Sequence, residues 1–172
     1  MNKPSFFLPF LFLVLPGILH AEAEKMLLKG RVRIESQKGE LDGATLSAEF
    51  SSSVLMTQDD FRLKCDHLKL AFSKDGGRGE LSSFTATGNV ECLQPSRQLR
   101  AVCDRLNYEK LDACLHAQGD ERAYLRWGNN YLEAPEVLLW LQDERMEAKG
   151  GISLDVDPDS LGSAPEGPAS AK

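Results

Sequence analysis

Two Cys-x-His pairs, Cys65-x-His67 and Cys114-x-His116, are the residues best equipped for chemistry in this 172-residue chain. Residues i and i+2 share one face of an extended strand. Two such strands side by side would present the thiolate and imidazole set that holds zinc. The plainer reading needs no metal and makes each histidine an exposed or hydrogen-bonded side chain. Only three histidines are present, which argues against a His-rich metal enzyme. No Gly-x-Ser-x-Gly, phosphate-loop or His-Glu-x-x-His sequence occurs. Acid-catalysed glycan cleavage needs carboxylates clustered on one face, and here they are scattered through turns and outward strand positions. Trp127 and Trp140 could stack on a sugar, but core or rim packing is the plainer role. The sequence therefore points to no catalytic residue, no metal and no cofactor.

The elements that would position these residues are strands. Between residues 25 and 156 the apolar pattern has period 2, as in Leu28, Gly30, Val32 and Ile34 alternating with Lys29, Arg31, Arg33 and Glu35. Turn residues separate the runs at Ser36 to Gly39, Asp75 to Gly79, Pro95-Ser96 and Gly128-Asn129-Asn130. A motif of apolar, any, Ala or Leu, any, Gly recurs. Its copies are Met26-x-Leu28-x-Gly30, Phe84-x-Ala86-x-Gly88, Leu115-x-Ala117-x-Gly119 and Met146-x-Ala148-x-Gly150. The last three glycines are 31 residues apart. Cys103 to Gly119 aligns with Ala134 to Gly150 without a gap, and Cys65 to Gly88 joins them if Ser73 to Gly79 is an inserted loop. Such a repeat, made only of strands, implies stacked β architecture. Asp66, Asp104 and Pro135 interrupt the alternation at one phase. A bulge there would carry a long strand from one sheet to a facing one. From Phe50 to Asp60 the pattern assigns no register.

The ends of the chain differ from the middle. Residues Phe6 to Leu19 form an uncharged apolar run of 14 residues after Lys3, followed by Ala21-Glu22-Ala23. This is the layout of a secretory signal peptide, cleaved first by preference after Ala23. The run is short for a membrane span of about 20 residues. Removing residues 1–23 takes away Lys3 and Glu22, so 20 basic and 26 acidic residues become 19 and 25 and the net charge stays at -6. An acidic chain lacks the basic face that nucleic acid requires. Residues 157–172, rich in Pro, Ser, Gly and Ala, cannot build a core and read as a disordered tail. Residues 24–156 are left as one folded domain.

Four cysteines follow the cleavage site, an even number that permits disulfides in an oxidising compartment. A hairpin turn centred between Arg97 and Gln98 would set Cys92 opposite Cys103. Opposed Cβ atoms lie about 4.5–5.5 Å apart, near disulfide reach. The alternative is four small buried thiols.

The stretch Ala86-Thr87-Gly88-Asn89-Val90, followed by a turn and Leu99-Arg100-Ala101-x-Cys103-Asp104-x-Leu106-x-Tyr108, resembles the LptA/OstA-like family. Its members show a T-G-N-V step and then a strand with the same Ala, Asp and Tyr spacing. The resemblance covers about residues 26–156. Lys29-Gly30-Arg31-Val32 and Lys149-Gly150-Gly151-Ile152 lack the Asn, and Pro135 replaces the Asp. The resemblance implies an all-β antiparallel jellyroll, a stacked solenoid-like sandwich with an open apolar groove. It implies a non-catalytic periplasmic carrier of lipopolysaccharide, working with transport components at the inner and outer membranes and stacking end to end with its own copies. The groove would hold the lipid A acyl chains on Val32, Ile34, Leu46, Leu63, Leu68, Leu70, Val90, Leu106, Tyr108, Leu132, Val137, Leu139 and Ile152. Two other readings stand beside it: a membrane-anchored LptC-like relative, and a structural β-solenoid that self-assembles without lipid. Mass spectrometry of the exported protein is expected to find Glu24 at the N-terminus. A retained Met1 would favour the anchored relative.

Overall fold

The computed structural model describes residues 31–75, 78–142 and 145–158. The expected signal segment, the Met26–Gly30 copy of the motif, and the expected tail after Pro158 lie outside these residues. Among the described residues every regular element is a strand, apart from one 3-10 turn at Pro95–Arg97. The strands are β1 (Arg33–Glu35), β2 (Lys38–Asp42), β3 (Ser47–Gln58), β4 (Phe61–Asp75) and β5 (Arg78–Gln94). They continue as β6 (Leu99–Glu109), β7 (Cys114–Trp127), β8 (Asn130–Trp140), β9 (Arg145–Lys149) and β10 (Ser153–Asp155). All pair antiparallel in one sheet of order β1-β3-β4-β5-β6-β7-β8-β10. Short β2 pairs with the other half of β3, and β9 with the other half of β8.

The ladder breaks near mid-strand between each pair of long strands, at Ser51/Val54, Lys64/His67, Thr87/Val90, Val102/Arg105 and Gln118/Ala123. The β4–β5 ladder shifts once more at Ala71/Phe72, where Ser82 is an extra residue on β5; the five mid-strand breaks belong to the bend. Together they draw one line across the sheet. On β4 the buried residues are Phe61, Leu63 and Cys65, then Leu68 and Leu70; on β6 they are Leu99, Ala101 and Cys103, then Leu106 and Tyr108. One extra residue, Asp66 or Asp104, therefore shifts the inward phase by one. Pro135 does the same on β8, between Ala134 and Val137. The bend expected at these three positions is present.

The sheet folds over at this line. Phe61 and Leu70 are nine residues apart on one strand, about 30 Å if it ran straight. Leu70 pairs with Phe84, yet the Phe61 and Phe84 rings are only 6.4 Å apart. The sheet is thus two wings facing each other, and the core lies between them. The first wing holds β1, β10 and residues such as Leu63, Val90 and Leu132. The second holds β2, β9 and residues such as Leu70, Leu106 and Val137.

Side chains lock the line. Gly88 has φ +76°, and a Cβ there would lie 2.6 Å from Asp66 Oδ2. The next residue, Asn89, donates from Nδ2 to that same Oδ2 at 2.8 Å. One strand along, the Asp120 N–H donates to Asp104 Oδ2 at 2.6 Å. At the last bend a Cβ on Gly150 (φ +97°) would meet Pro135 Cγ at 2.7 Å. The replaced Asp and the missing Asn therefore occur together, since proline offers no acceptor for an Asn to meet.

One expectation is corrected. Ser73 to Gly79 is not an inserted loop: Ser73 pairs with Glu80, Lys74 with Gly79 and Asp75 with Arg78. The hairpin simply extends both strands, because the alternation of two polar strands carries no apolar signal. Replacing Gly88 by Ala is expected to cost about 2 kcal/mol, from the left-handed backbone and the close approach of Asp66. Gly43→Ala, which meets nothing within 4 Å, should stay within about 0.5 kcal/mol. Urea denaturation midpoints of the two variants check this.

Candidate functional site

The interior between the wings is the one surface that unites the apolar side chains. Leu63, Leu68, Leu70, Val90, Leu106, Tyr108, Leu132 and Val137 are all buried in it. Val32, Ile34 and Leu139 are partly buried against the same core. Two expected positions lie elsewhere. Leu46 precedes β3 in a turn with φ 52°, where its carbonyl accepts the Phe72 N–H at 2.8 Å. Ile152 sits between β9 and β10 and is 53% exposed. Gly150 bends the chain just before it, so the alternation of β9 does not carry through. The interior also holds Val54, Met56, Phe61, Phe84, Cys92, Leu115 and Leu125. The same period-2 signal, Phe61-x-Leu63-x-Cys65 above all, marks several of them.

Opposite the fold line the wings meet as two lips made of hairpin turns. On the first-wing lip, Asp60 Oδ2 accepts the Ser96 N–H at 2.7 Å, and the Gln98 carbonyl accepts the Gly128 N–H at 3.1 Å. Hydrogen bonds, from the Ser96 side chain above all, hold the Asp60 carboxyl below the ordinary aspartate range. Asn129 and Asn130 tie this lip to Asp157, the first residue of the expected tail. On the second-wing lip, the Ala113 carbonyl accepts the Leu141 N–H and the Ser82 carbonyl accepts the Lys110 N–H, both at 2.9 Å. Each lip is stitched along its own length. Across the lips, Arg97 donates to the Leu141 carbonyl at 3.3 Å, and Phe61 meets Phe84.

The bend also separates the residues with metal-ligand chemistry. Cys65 is buried, but Asp66 intervenes as an extra residue and His67 points outward. The i, i+2 rule fails there because the strand bulges between the two. His116 faces outward as well, with Nε2 2.9 Å from Glu136 Oε1. Among the described residues no group of three or more His, Cys, Asp or Glu side chains could hold a metal. A cleft of about 550 Å³ opens outside the second wing, lined by Lys38, Glu49, His67, Lys69 and Thr87 together with Phe50 and Leu68.

All four cysteines are free thiols. Gln94 pairs with Leu99, so the hairpin centre falls between Ser96 and Arg97, one residue earlier than expected. Cys92 therefore opposes Ala101 and Cys103 opposes Val90, which makes the two thiols diagonal neighbours. Gln98 takes the left-handed conformation that closes the turn at this length. Burial, and then the neighbouring Cys103, pushes the Cys92 thiol far up. Burial takes Cys103 to about 12 and Cys65 to about 11.

With this geometry the fold can be compared with known structures. It is similar to the crystal structure of LptH from Pseudomonas aeruginosa, the LptA homologous periplasmic component of the conserved lipopolysaccharide transport device. The TM-score is 0.64 at 17% identity, over 74% of this chain and 96% of that one. The fold is LptA-like. No family model and no curated protein matches the sequence, so the LptA-like likeness rests on the folded, bulged sheet rather than on side chains held in common. For the LptA-like sheet of this chain, non-reducing peptide mapping is expected to find no Cys92–Cys103 bridge. A disulfide-exchange reagent should label Cys114, the only half-buried thiol among buried ones, before the others, and Cys92 only after unfolding.

Proposed function

We propose that this chain is a non-catalytic periplasmic carrier that receives the acyl chains of lipopolysaccharide between its wings. The supporting observation is an apolar inner face that continues from Ile34 at one end of the stack to Leu154 at the other, on an LptA-like fold. Each buried CH₂ of an acyl chain would gain about 0.8 kcal/mol on such a face. Residues 1–23 would direct export and be removed, leaving the protein in the periplasm. Its partners would be the transport components at the two membranes, and copies of itself through the end strands. The terminal strands support that stacking. Leu41 pairs with buried Ala48 and Leu154 with buried Leu132, yet they are 75% and 57% exposed. Among the described residues the outer edges of β2 and β10 carry no further strand, and such edges beside exposed apolar side chains recruit strands.

Side chains fill the space between the wings, so loading is an exchange in which the lips part and acyl chain replaces protein contacts. No step makes or breaks a covalent bond. Val90 and Leu106 face inward with at most 1% exposure, while Glu91 and Asn107 face outward. A photoreactive residue placed at Val90 or Leu106 is expected to crosslink to lipopolysaccharide, and one at Asn107 is not. Asn107 is the cleaner control, because Glu91 is paired with Arg100 at 2.8 Å. Crosslinking only from the outer position, or equally from both, would reject the interior as the binding surface and leave a structural solenoid as the account.

A further inference from the structure

Among the described residues, two polar atoms of the apolar interior lack a hydrogen-bond partner. They are Tyr108 Oη and Gln94 Oε1, on side chains 1% and 6% exposed. An unmet buried hydroxyl or amide carbonyl costs about 1–3 kcal/mol, and neither position needs a polar side chain for packing. The neighbouring residues in the same rows are Phe84, Leu115 and Leu99. Asn130 makes a useful contrast. It is equally buried on the first-wing lip, but its Nδ2 donates to the Trp127 carbonyl and its Oδ1 accepts from Asp157. Gln94 is satisfied on one side only. Its amide group bonds the Asp60 carboxylate, which requires Nε2 to be the atom turned toward Asp60. The carbonyl oxygen is left on the inner face.

The two side chains belong to one contiguous aromatic cluster. The β4–β5 register, continued one step past Arg62 and Leu93, sets Phe61 beside Gln94. Phe61 meets Phe84 across the lips at 6.4 Å, and the Phe84 ring stacks on Tyr108 at 5.5 Å and 25°. Gln94 thus stands on the first wing and Tyr108 on the second, at the mouth through which a ligand would pass.

We propose that Gln94 and Tyr108 form a polar station at this mouth that binds the hydroxyl or amide group of a substituted acyl chain. The inference rests on the acyl-lipid reading above and narrows it. Oε1 needs a donor, which a hydroxyl or an amide N–H supplies. The tyrosine hydroxyl donates to a carbonyl or hydroxyl oxygen. A plain hydrocarbon chain offers neither, so the station would discriminate hydroxylated or amide-linked acyl lipids from unsubstituted ones. A site built to hydrogen-bond a substituent disfavours the analogue lacking it, because its own polar atoms stay unpaired.

The test compares β-hydroxypalmitate with palmitate by equilibrium binding to the mature protein and to the Tyr108→Phe and Gln94→Met variants. The native protein is expected to prefer the hydroxylated acid by about fivefold or more, the worth of one neutral hydrogen bond. Either variant should lose that preference, read as the ratio of the two affinities measured on the same protein. Tyr108→Phe should also unfold at the same or a higher urea concentration, since it removes an unmet hydroxyl. Equal affinity of the native protein for both acids, or a preference kept by both variants, or a destabilised Tyr108→Phe protein would overturn the station while leaving the lipid reading intact. Binding of neither acid would overturn the lipid reading and the station with it.

Discussion

Everything in this molecule depends on a single extra residue on every second long strand. A β-strand has period 2, so a long strand bent back on itself turns its apolar face outward in one half unless its phase shifts at the bend. Asp66, Asp104 and Pro135 supply that shift on β4, β6 and β8. The intervening strands absorb the same bend with residue pairs or longer insertions, such as Gly88-Asn89 and Gly119 to Arg122, which keep their phase. The bend is held by contact between neighbours rather than by any one residue. At Gly88 the Asp66 carboxylate fills the space left by the glycine, and Asp66 and Asp104 each accept a hydrogen bond from the residue after the facing glycine. Where proline replaces the aspartate, glycine remains but the hydrogen-bonding partner disappears.

Much of this could be read in the sequence, for a physical reason. Alternation and the phase break at Asp66, Asp104 and Pro135 are properties of the chain itself, so the all-β class, the bend and most inward residues were legible. The misreadings share one cause: they concern residues whose neighbours are set by another strand. Cys65 and His67 look like a pair on one face until the bulge between them is known. The offset of Cys92 and Cys103 turns on one residue in the placement of the Pro95–Gln98 turn. The bend in β3 was hidden because Ser52 and Ser53, not glycine, carry its positive φ. Ile152 follows the alternation of β9 on paper, but Gly150 has already redirected the chain.

The two long borders of the folded sheet behave differently. The fold line is continuous backbone, and opening the wings there would strain every strand. The lips are strong along their length, where turn bonds turn, and weak across it, where Arg97–Leu141 and the Phe61–Phe84 contact are the named links. On the proposed function, a ligand would enter by a hinge about the bulges, with the lips as the free margin. The interior polar atoms of Gln94 and Tyr108 sit at that margin rather than in the deep crease.

The phase rule also sets which changes of length the chain can accept. Deleting Asp104 alone would turn Leu99, Ala101 and Cys103 toward solvent and bring Arg100 and Val102 inside, so half of β6 would exchange its faces. At a hairpin tip the arithmetic differs. Beyond the extra Ser82 of β5, the long β4–β5 hairpin, where Ser73 to Asp75 pair with Arg78 to Glu80, lengthens both partners together. Drift in chain length should therefore collect at the tips, in matched increments, while the crease tolerates substitution of its residues but not their loss. Two related chains could differ widely in wing span and in sequence, and still be superimposed along the crease.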